Sequence, residues 1–492
     1  MPPRLSRRDV ARRLVTPARN TTSGHTKTSH PVAPPPLSFP LHVLSRATFG
    51  ANAAVVAEMQ QMGFDSWLEW QLHPEAINDQ HLEASLPTLI APYANNAADI
   101  RMLARAVHSK RQLAWRMVYF LNNHFSTFRG DTQPISETVE DDTFFKRCFS
   151  DFATVLRLSA TSPAMIDYLD SVSNIASSPN ENYARELMEL HTLGVNGGYT
   201  EGDVATAARV FTGWSRVNVM PGGTGTPVTS SYFQFRANRH DVGPKTLTIG
   251  WSTPGISGNG GYLEGFGLLD FLAAHPNTAT RFVEKLCRYF VSDQPPVNLL
   301  ARVRQVFVNS GGDLRDTVRA IFLDDEFPHG ANVKAKVHDG FEFIVNAVRR
   351  LGISAPNLTV LNQQVGLLRS QPHMFTLPTG YPEIGPPWHG PGNVLPRWKF
   401  ADNLVHNLIG GVTVPWSTIF PLPRPVGGAA WVSSLLARLV DSEVPATTVI
   451  ALTVFMDGRL STLPANPTLT QVLPHLRDLT SLVLRLPEAH LN

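Results

Sequence analysis

The stretch Ser177–Trp214 reads SSPNENYARELMELHTLGVNGGYTEGDVATAARVFTGW, and its apolar pattern decides the fold. Leucines recur every third residue from position 187 to 193, which predicts a helix with one apolar side. Gly194 follows where a left-handed residue would end that helix. Thr200 and Asp203 have the spacing of a capping box and predict the start of a second helix. We therefore expect two helices joined by a glycine-rich turn.

The start of the first helix is predicted from a similar signal. Ser178 is the expected cap, Pro179 the first helical residue, and Glu181 the acidic residue three positions after the cap.

Helical periodicity extends over most of the chain. Helices are predicted over Leu41–Phe49, Ala51–Met62, Phe64–Leu72, Ser109–Thr127, Thr143–Leu158, Ala164–Ser171, Tyr262–Ala274, Thr278–Val291, Val297–Asn309, Leu314–Leu323, Val333–Leu351, Arg397–Leu408, Trp431–Leu439, Thr447–Phe455 and Leu469–Leu486.

Residues 230–249 are the exception, because YFQF and TLTI alternate with a period of two. We expect these two runs to form a β-hairpin or a small sheet with HDVGPK, residues 240–245, at the bend. Loops rich in glycine and proline are predicted over Pro221–Thr229, Trp251–Gly261 and Gln371–Pro396. The fold class predicted is mainly α: a large multi-helix domain with a small β-hairpin and long Gly/Pro-rich loops.

Three regions are predicted along the chain. Residues 1–39 form a disordered basic arm and proline-rich linker, since residues 1–30 hold seven basic side chains and one aspartate. Residues 40–410 form the helical domain, and residues 411–492 a C-terminal helical extension. The arm contains LSRRDVARRL, similar to a twin-arginine export signal, but no apolar run of 7–15 residues follows. A cytoplasmic location is therefore favoured, with export as the alternative.

Composition excludes several classes of protein. A formal net charge of +2 over 492 residues does not predict nucleic-acid binding. A run of 18 apolar residues is absent, so no transmembrane segment is expected. Serine-nucleophile, nucleotide-phosphate and dinucleotide motifs are also absent, so no nucleotide cofactor is expected. Cys148 and Cys287 are expected to be buried thiols, although a disulfide between them stays open.

Several motifs together resemble a bacterial family of domains of unknown function, numbered 1800. They are LSRATFG from Leu44, NNHF from Asn122, ENYARELMELHTLGVNGGYTEGDVATAARVFTGW from Glu181, HDVGPKTLTIG from His240, HPNTATRFVEKLCRYFVSDQPP from His275 and PTGYPEIGPPWHGPGNVLPRWKFADNL from Pro378. The resemblance implies little about chemistry, because the activity of the family is not established. Many of its members look exported.

Four residues are candidates for catalysis. His240 and Asp241 lie on the predicted hairpin bend, where a histidine can act as a general base or metal ligand and an aspartate can orient it. Lys245 follows as a candidate for binding an anionic group, and Glu189 is a supporting carboxylate. The alternative is an ordinary turn that happens to contain a histidine.

A divalent metal, zinc or iron, is the predicted cofactor. Its expected ligands are His124, His191, His240, Asp241 and Glu181. Alternatives stay open for each: His124 and His191 also suit an apolar core, and Glu181, Arg185 and Glu189 have the spacing of an ion-pair ladder on one helix face.

Aromatic residues cluster in the last irregular stretch. Tyr381, Trp388 and Trp398 lie near His389 and Glu383, which suits a sugar-binding platform or, alternatively, a plug of the core beneath a long loop. These features favour a metal-dependent hydrolase acting on a cell-envelope or extracellular substrate such as a glycan. The alternatives are a non-catalytic helical binding or assembly protein and a metal-dependent oxidoreductase. The sequence does not determine the oligomeric state.

Overall fold

A computed structural model describes residues 39–90, 97–219, 230–440 and 443–492. In these residues the chain is mainly helical, which confirms the predicted fold class. The basic arm predicted over 1–39, except for Phe39, and the loop over 221–229 lie outside the described residues.

The described helices follow in this order along the chain. They are α1 (Phe39–Ala47), α2 (Ala53–Met62), α3 (Phe64–Leu72), α4 (Gln80–Ile90), α5 (Ala97–His108), α6 (Gln112–His124), α7 (Pro134–Arg147), α8 (Phe152–Ala160), α9 (Pro163–Tyr168), α10 (Asn182–Glu186, continuing as a π-turn over Leu187–His191), α11 (Glu201–Val210), α12 (Tyr262–Ala273), α13 (Pro276–Phe290), α14 (Val297–Asn309), α15 (Leu314–Leu323), α16 (Gly340–Arg350), α17 (Leu358–Leu367), α18 (Pro391–Val405), α19 (Trp416–Ile419), α20 (Gly428–Leu439), α21 (Ala446–Leu460) and α22 (Leu469–Leu484).

Two of these helices form the centre of the molecule. Every residue of α16 is buried, and in α6 only two residues near the C-terminus are partly exposed. Helix α6 packs against α1, α3, α5 and α7, and α16 against α5, α17, α18 and α20. Tyr119 of α6 stacks on Phe341 of α16, with ring centroids 5.0 Å apart.

The β-structure consists of two antiparallel pairs. Strand β1 (Trp214–Val219) pairs with β2 (Ser230–Phe235), and β3 (Lys245–Leu247) pairs with β4 (Trp251–Thr253). The prediction that YFQF and TLTI pair with each other is therefore wrong. Gly250, at φ 99°, permits a tight turn that folds β3 back on β4 instead.

The glycine-rich turn predicted after α10 is present in the structure. Gly194 adopts φ 87°, and Thr200 and Asp203 form both bonds of a capping box at the start of α11. The predicted cap at Ser178 is wrong, because the helix begins at Asn182, whose amide donates to the Asn180 side chain at 2.9 Å.

The predicted helix over 143–158 is divided between α7 and α8. Asp151 accepts a hydrogen bond from the Thr154 amide and starts α8. The C-terminal residues reach the centre of the molecule, since the Asn492 amide donates to the Lys336 carbonyl at 2.9 Å. Among the described helices, none has the length and apolar character needed to cross a membrane.

The two residues of the α11 capping box, Thr200 and Asp203, should contribute unequally to the free energy of unfolding. Asp203 accepts hydrogen bonds from the Thr200 amide and also from the Thr248 amide and hydroxyl, both at 2.6 Å. We expect Thr200→Ala to cost about 1 kcal/mol of unfolding free energy and Asp203→Ala about 2–3 kcal/mol, measured by urea denaturation. Thr280→Ala, in the exposed first turn of α13, is the control. Equal losses for Thr200 and Asp203 would show that the bonds to Thr248 add nothing.

Candidate active site

The HDVGPK segment is fixed by a buried ion pair. Lys245 donates to the carbonyls of Asp241 at 2.5 Å and Gly243 at 3.0 Å and to Glu264 at 2.7 Å. The side chains of Lys245 and Glu264 are fully buried. The predicted role of Lys245 in binding an anionic group therefore does not fit the structure, because its three protons are already donated.

His240 and Asp241 have different neighbours. The Nδ1–H of His240 donates to the Thr212 carbonyl at 2.9 Å, and Nε2 lies 3.5 Å from Glu264. Asp241 is paired with Arg209 at 2.7 Å, and this contact lowers the pKa of the carboxyl. Both side chains thus make contacts that hold the turn after β2.

Removing the lysine should strongly destabilise the protein. We expect Lys245→Met to cost about 3–5 kcal/mol, because Glu264 would stay buried without its partner. The double variant Lys245→Met/Glu264→Gln should recover part of that loss, and Lys399→Met, on the exposed side of α18, should change little. The measurement is the urea midpoint of each variant. A loss below 1 kcal/mol for Lys245→Met would contradict this role.

His124 and His191 lie together in an aromatic core. The Nε2–H of His124 donates to the His191 carbonyl at 3.1 Å, and the ring centroids are 6.2 Å apart. Phe125, Phe152 and Phe282 surround His124. Burial lowers the pKa of His191 to about 3 and the pKa of His124 well below its ordinary value. Both rings are therefore neutral core residues at neutral pH.

The two predicted carboxylates lie on the surface side of α10. Arg185 pairs with Glu181 at 3.0 Å and with Glu201 at 2.8 Å. Glu189 is partly exposed and lies near Glu186. Burial raises the pKa of Glu186, and the nearby charge of Glu189 raises it further.

The five predicted metal ligands are thus divided among three places. In the chain as described, the one group of three His, Cys, Asp or Glu residues whose ligand atoms lie within 4.8 Å of one another is Glu137, Glu140 and His373. The sequence analysis missed this group. A signal existed in the spacing E-x-x-E-D of residues 137–141, which places both glutamates on one side of a helix.

Helix α6 presents a polar stripe to a cleft. Arg116, Tyr119 and Asn123 lie three and four residues apart and so share one helix face. Two adjacent residues of the motif NNHF face different sides of the helix. Asn123 faces the cleft, whereas His124 faces the core.

The loop over 371–393 covers that stripe and is bound by Asn123. The Asn123 side chain donates to the Tyr381 carbonyl at 3.1 Å and accepts from the Tyr381 backbone amide at 2.7 Å. Gly380, at φ 71°, permits this approach, since a Cβ there would lie 2.3 Å from the Asn123 carbonyl oxygen.

Three adjoining cavities lie beneath this loop, and Tyr381 lines all of them. We call them together the cleft. The widest, of about 480 Å³, is lined by Arg369, Gln371, Phe375, Tyr381, Trp388 and Asn393 among others. Two smaller chambers, of about 50 and 20 Å³, share Tyr119 and Asn123. Each small chamber has room for at least one water molecule.

Three carboxylates line the 50 Å³ chamber. Glu383 is paired with Lys285, and Asp339 and Glu342 lie in different environments. Asp339 and Glu342 form the capping box of α16 with one oxygen each. The other oxygen of Asp339 accepts from the Tyr119 hydroxyl at 2.6 Å, and that of Glu342 is paired with Arg116. Each carboxylate thus caps the helix with one oxygen and contacts a residue of the cleft with the other.

The pKa values of these carboxyls move in opposite directions. Burial, together with the nearby Glu342 charge, raises the pKa of Asp339 to about 7. Burial opposes the ionisation of Glu342 too, but Arg116 and His338 together outweigh it and lower that pKa. Below about pH 7, Asp339 is therefore mainly protonated while Glu342 is ionised.

The predicted aromatic platform is present in part. Trp388 lies 6.0 Å from Tyr381 between ring centroids, and Phe375 lies 4.7 Å from Tyr381. Trp398 is 40% exposed on α18. Glu383 is held by Lys285 at 2.8 Å, so it anchors the loop rather than extending into the wide cavity.

The sequence matches, over residues 42–491, the model of a family described as a protein of unknown function, DUF1800. This match spans nearly the whole chain. The chain belongs to the DUF1800 family. No curated protein and no solved structure matches it. The match continues past residue 410, so the C-terminal helices of this DUF1800 member lie within the family region.

The pKa of Asp339 predicts a dependence of stability on pH. Between about pH 4 and pH 7 the unfolded chain loses the Asp339 proton while the folded protein keeps it, so stability falls as pH rises. In Asp339→Asn this contribution is absent. Urea denaturation at pH 5 and pH 8 should show the variant gaining relative to the parent at pH 8, by about 2–3 kcal/mol. An unchanged difference at the two pH values would show that Asp339 is ionised throughout.

Proposed function

We propose that this protein is a hydrolase of glycan-like substrates whose active site is the cleft beneath the loop over 371–393. The observation that carries the proposal is the pair Asp339 and Glu342, two buried carboxyls in one chamber whose environments separate their pKa values. Such separation is how enzymes keep one carboxyl as an acid and another as a base at the same pH.

The roles follow from these protonation states. Protonated Asp339 donates its proton to the oxygen of the leaving group, and ionised Glu342 accepts a proton from the attacking water. Tyr119 orients Asp339 through the 2.6 Å hydrogen bond, and Arg116 keeps Glu342 ionised.

The wide cavity favours a polyhydroxylated substrate. Phe375, Tyr381 and Trp388 supply aromatic surfaces, and Gln371 and Asn393 supply amide groups at the same cavity. Aromatic rings beside hydrogen-bonding side chains suit a sugar ring, which has an apolar face and a polar edge.

The test is a search for cleavage followed by one substitution. The purified chain is incubated with xylan, carboxymethyl-cellulose, chitin oligosaccharides and solubilised peptidoglycan between pH 5 and 9, and new reducing ends are measured. We expect Asp339→Asn to lose at least about 100-fold in kcat/KM, while exposed Asp325→Asn retains activity. The parent's activity should fall above about pH 7, because the acid must be protonated.

Two outcomes would overturn the proposal. Binding of these glycans without cleavage would assign the cleft to a non-catalytic binding protein, the second function predicted from the sequence. Cleavage that survives Asp339→Asn with an unchanged pH profile would place the catalytic acid elsewhere.

A further inference from the structure

We propose that Glu137, Glu140 and His373 form a binding site for a divalent transition-metal ion. Each offers a ligand atom within 4.8 Å of the other two, and all three residues are buried. Helix α7 supplies the two glutamates from successive turns, and the loop over 371–393 supplies the histidine.

The spacing of the ligand atoms suits a single ion. Glu137 Oε2 lies 3.1 Å from His373 Nδ1. The Thr127 hydroxyl oxygen lies 2.8 Å from Glu137 Oε2 and 3.3 Å from Glu140 Oε2, so the two carboxylates converge on one point. In a tetrahedral site with bonds of about 2.1 Å, neighbouring ligand atoms are about 3.4 Å apart. The group is therefore close to the geometry it needs.

An unpartnered oxygen indicates that a ligand belongs there. Glu140 Oε1 has no hydrogen-bond partner within the described residues, although the residue is only 2% exposed. A buried carboxylate oxygen without a partner is costly, and a bound cation removes that cost.

Asp141 lies beside the histidine, where a metal ligand commonly has an outer carboxylate neighbour. It lies 3.2 Å from His373 Nε2 and accepts from Asn122 Nδ2 at 2.7 Å. A carboxylate on one imidazole nitrogen directs the other nitrogen toward a metal. Three carboxyl groups, those of Glu137, Glu140 and Asp141, thus surround one imidazole.

The ligand atoms of the site limit the choice of metal ion. One imidazole nitrogen and carboxylate oxygens, with no cysteine in the group, suit Zn²⁺, Mn²⁺ or Fe²⁺. His373, Thr127 and Asn122 also line the 20 Å³ chamber, so the ion would border the cleft.

The experiment measures bound metal, which keeps its outcome separate from any test of hydrolysis. The full chain is treated with EDTA, then dialysed separately against Zn²⁺, Mn²⁺ and, without oxygen, Fe²⁺, and elemental analysis follows. We expect about one ion of the preferred metal per chain, and a rise in Tm on reloading. Glu140→Gln and His373→Gln should lose both, whereas exposed Glu443→Gln and His329→Gln should keep them.

A parent chain that holds no ion after reloading would overturn the proposal, as would retention of the ion by folded Glu140→Gln and His373→Gln. If those variants do not fold, X-ray absorption of the loaded parent decides. One nitrogen and the remaining oxygens around the metal support the site, and a metal without a nitrogen ligand contradicts it.

Discussion

The ion pair between Arg116 and Glu342 is the contact on which the arrangement of the molecule depends. It joins α6 to α16, the two helices at the centre of the core, where both side chains are almost fully buried. Breaking such a pair leaves an uncompensated charge inside the protein, so the two helices can meet only in the register that brings these side chains together. The position of the remaining helices follows, because most of them pack on α6, on α16 or on their neighbours.

The same contact places the cleft over the most rigid part of the fold. Arg116, Tyr119 and Asn123 project from a helix that cannot move without disturbing the core, and the loop over 371–393 closes over them. Polar groups held on rigid elements beneath an adaptable loop are a common arrangement in enzymes, because the helices fix the geometry and the loop selects the ligand. The two glutamates of α7 border the same cleft through Thr127 and His373.

Local signals in the sequence predicted most helices and the glycine turn, because periodicity and caps act within a few residues. The pairing of YFQF failed, since its partner strand is chosen by contacts that the local pattern does not contain. The first part of α7 was missed because its sequence, PISETVEDD, carries more acidic than apolar residues. For the site, the sequence analysis selected histidines that lie in recognisable motifs. His373 was not selected, because only the fold brings it next to Glu137.

Asn123 holds the loop through the main chain of residue 381, and this has an evolutionary consequence. A contact to backbone atoms does not depend on the side chain that the residue carries. This one anchor therefore survives exchange of the Tyr381 side chain in relatives, provided that position 380 remains glycine. One scaffold can in this way diversify what it recognises without being refolded, and a family with this fold need not share a single ligand.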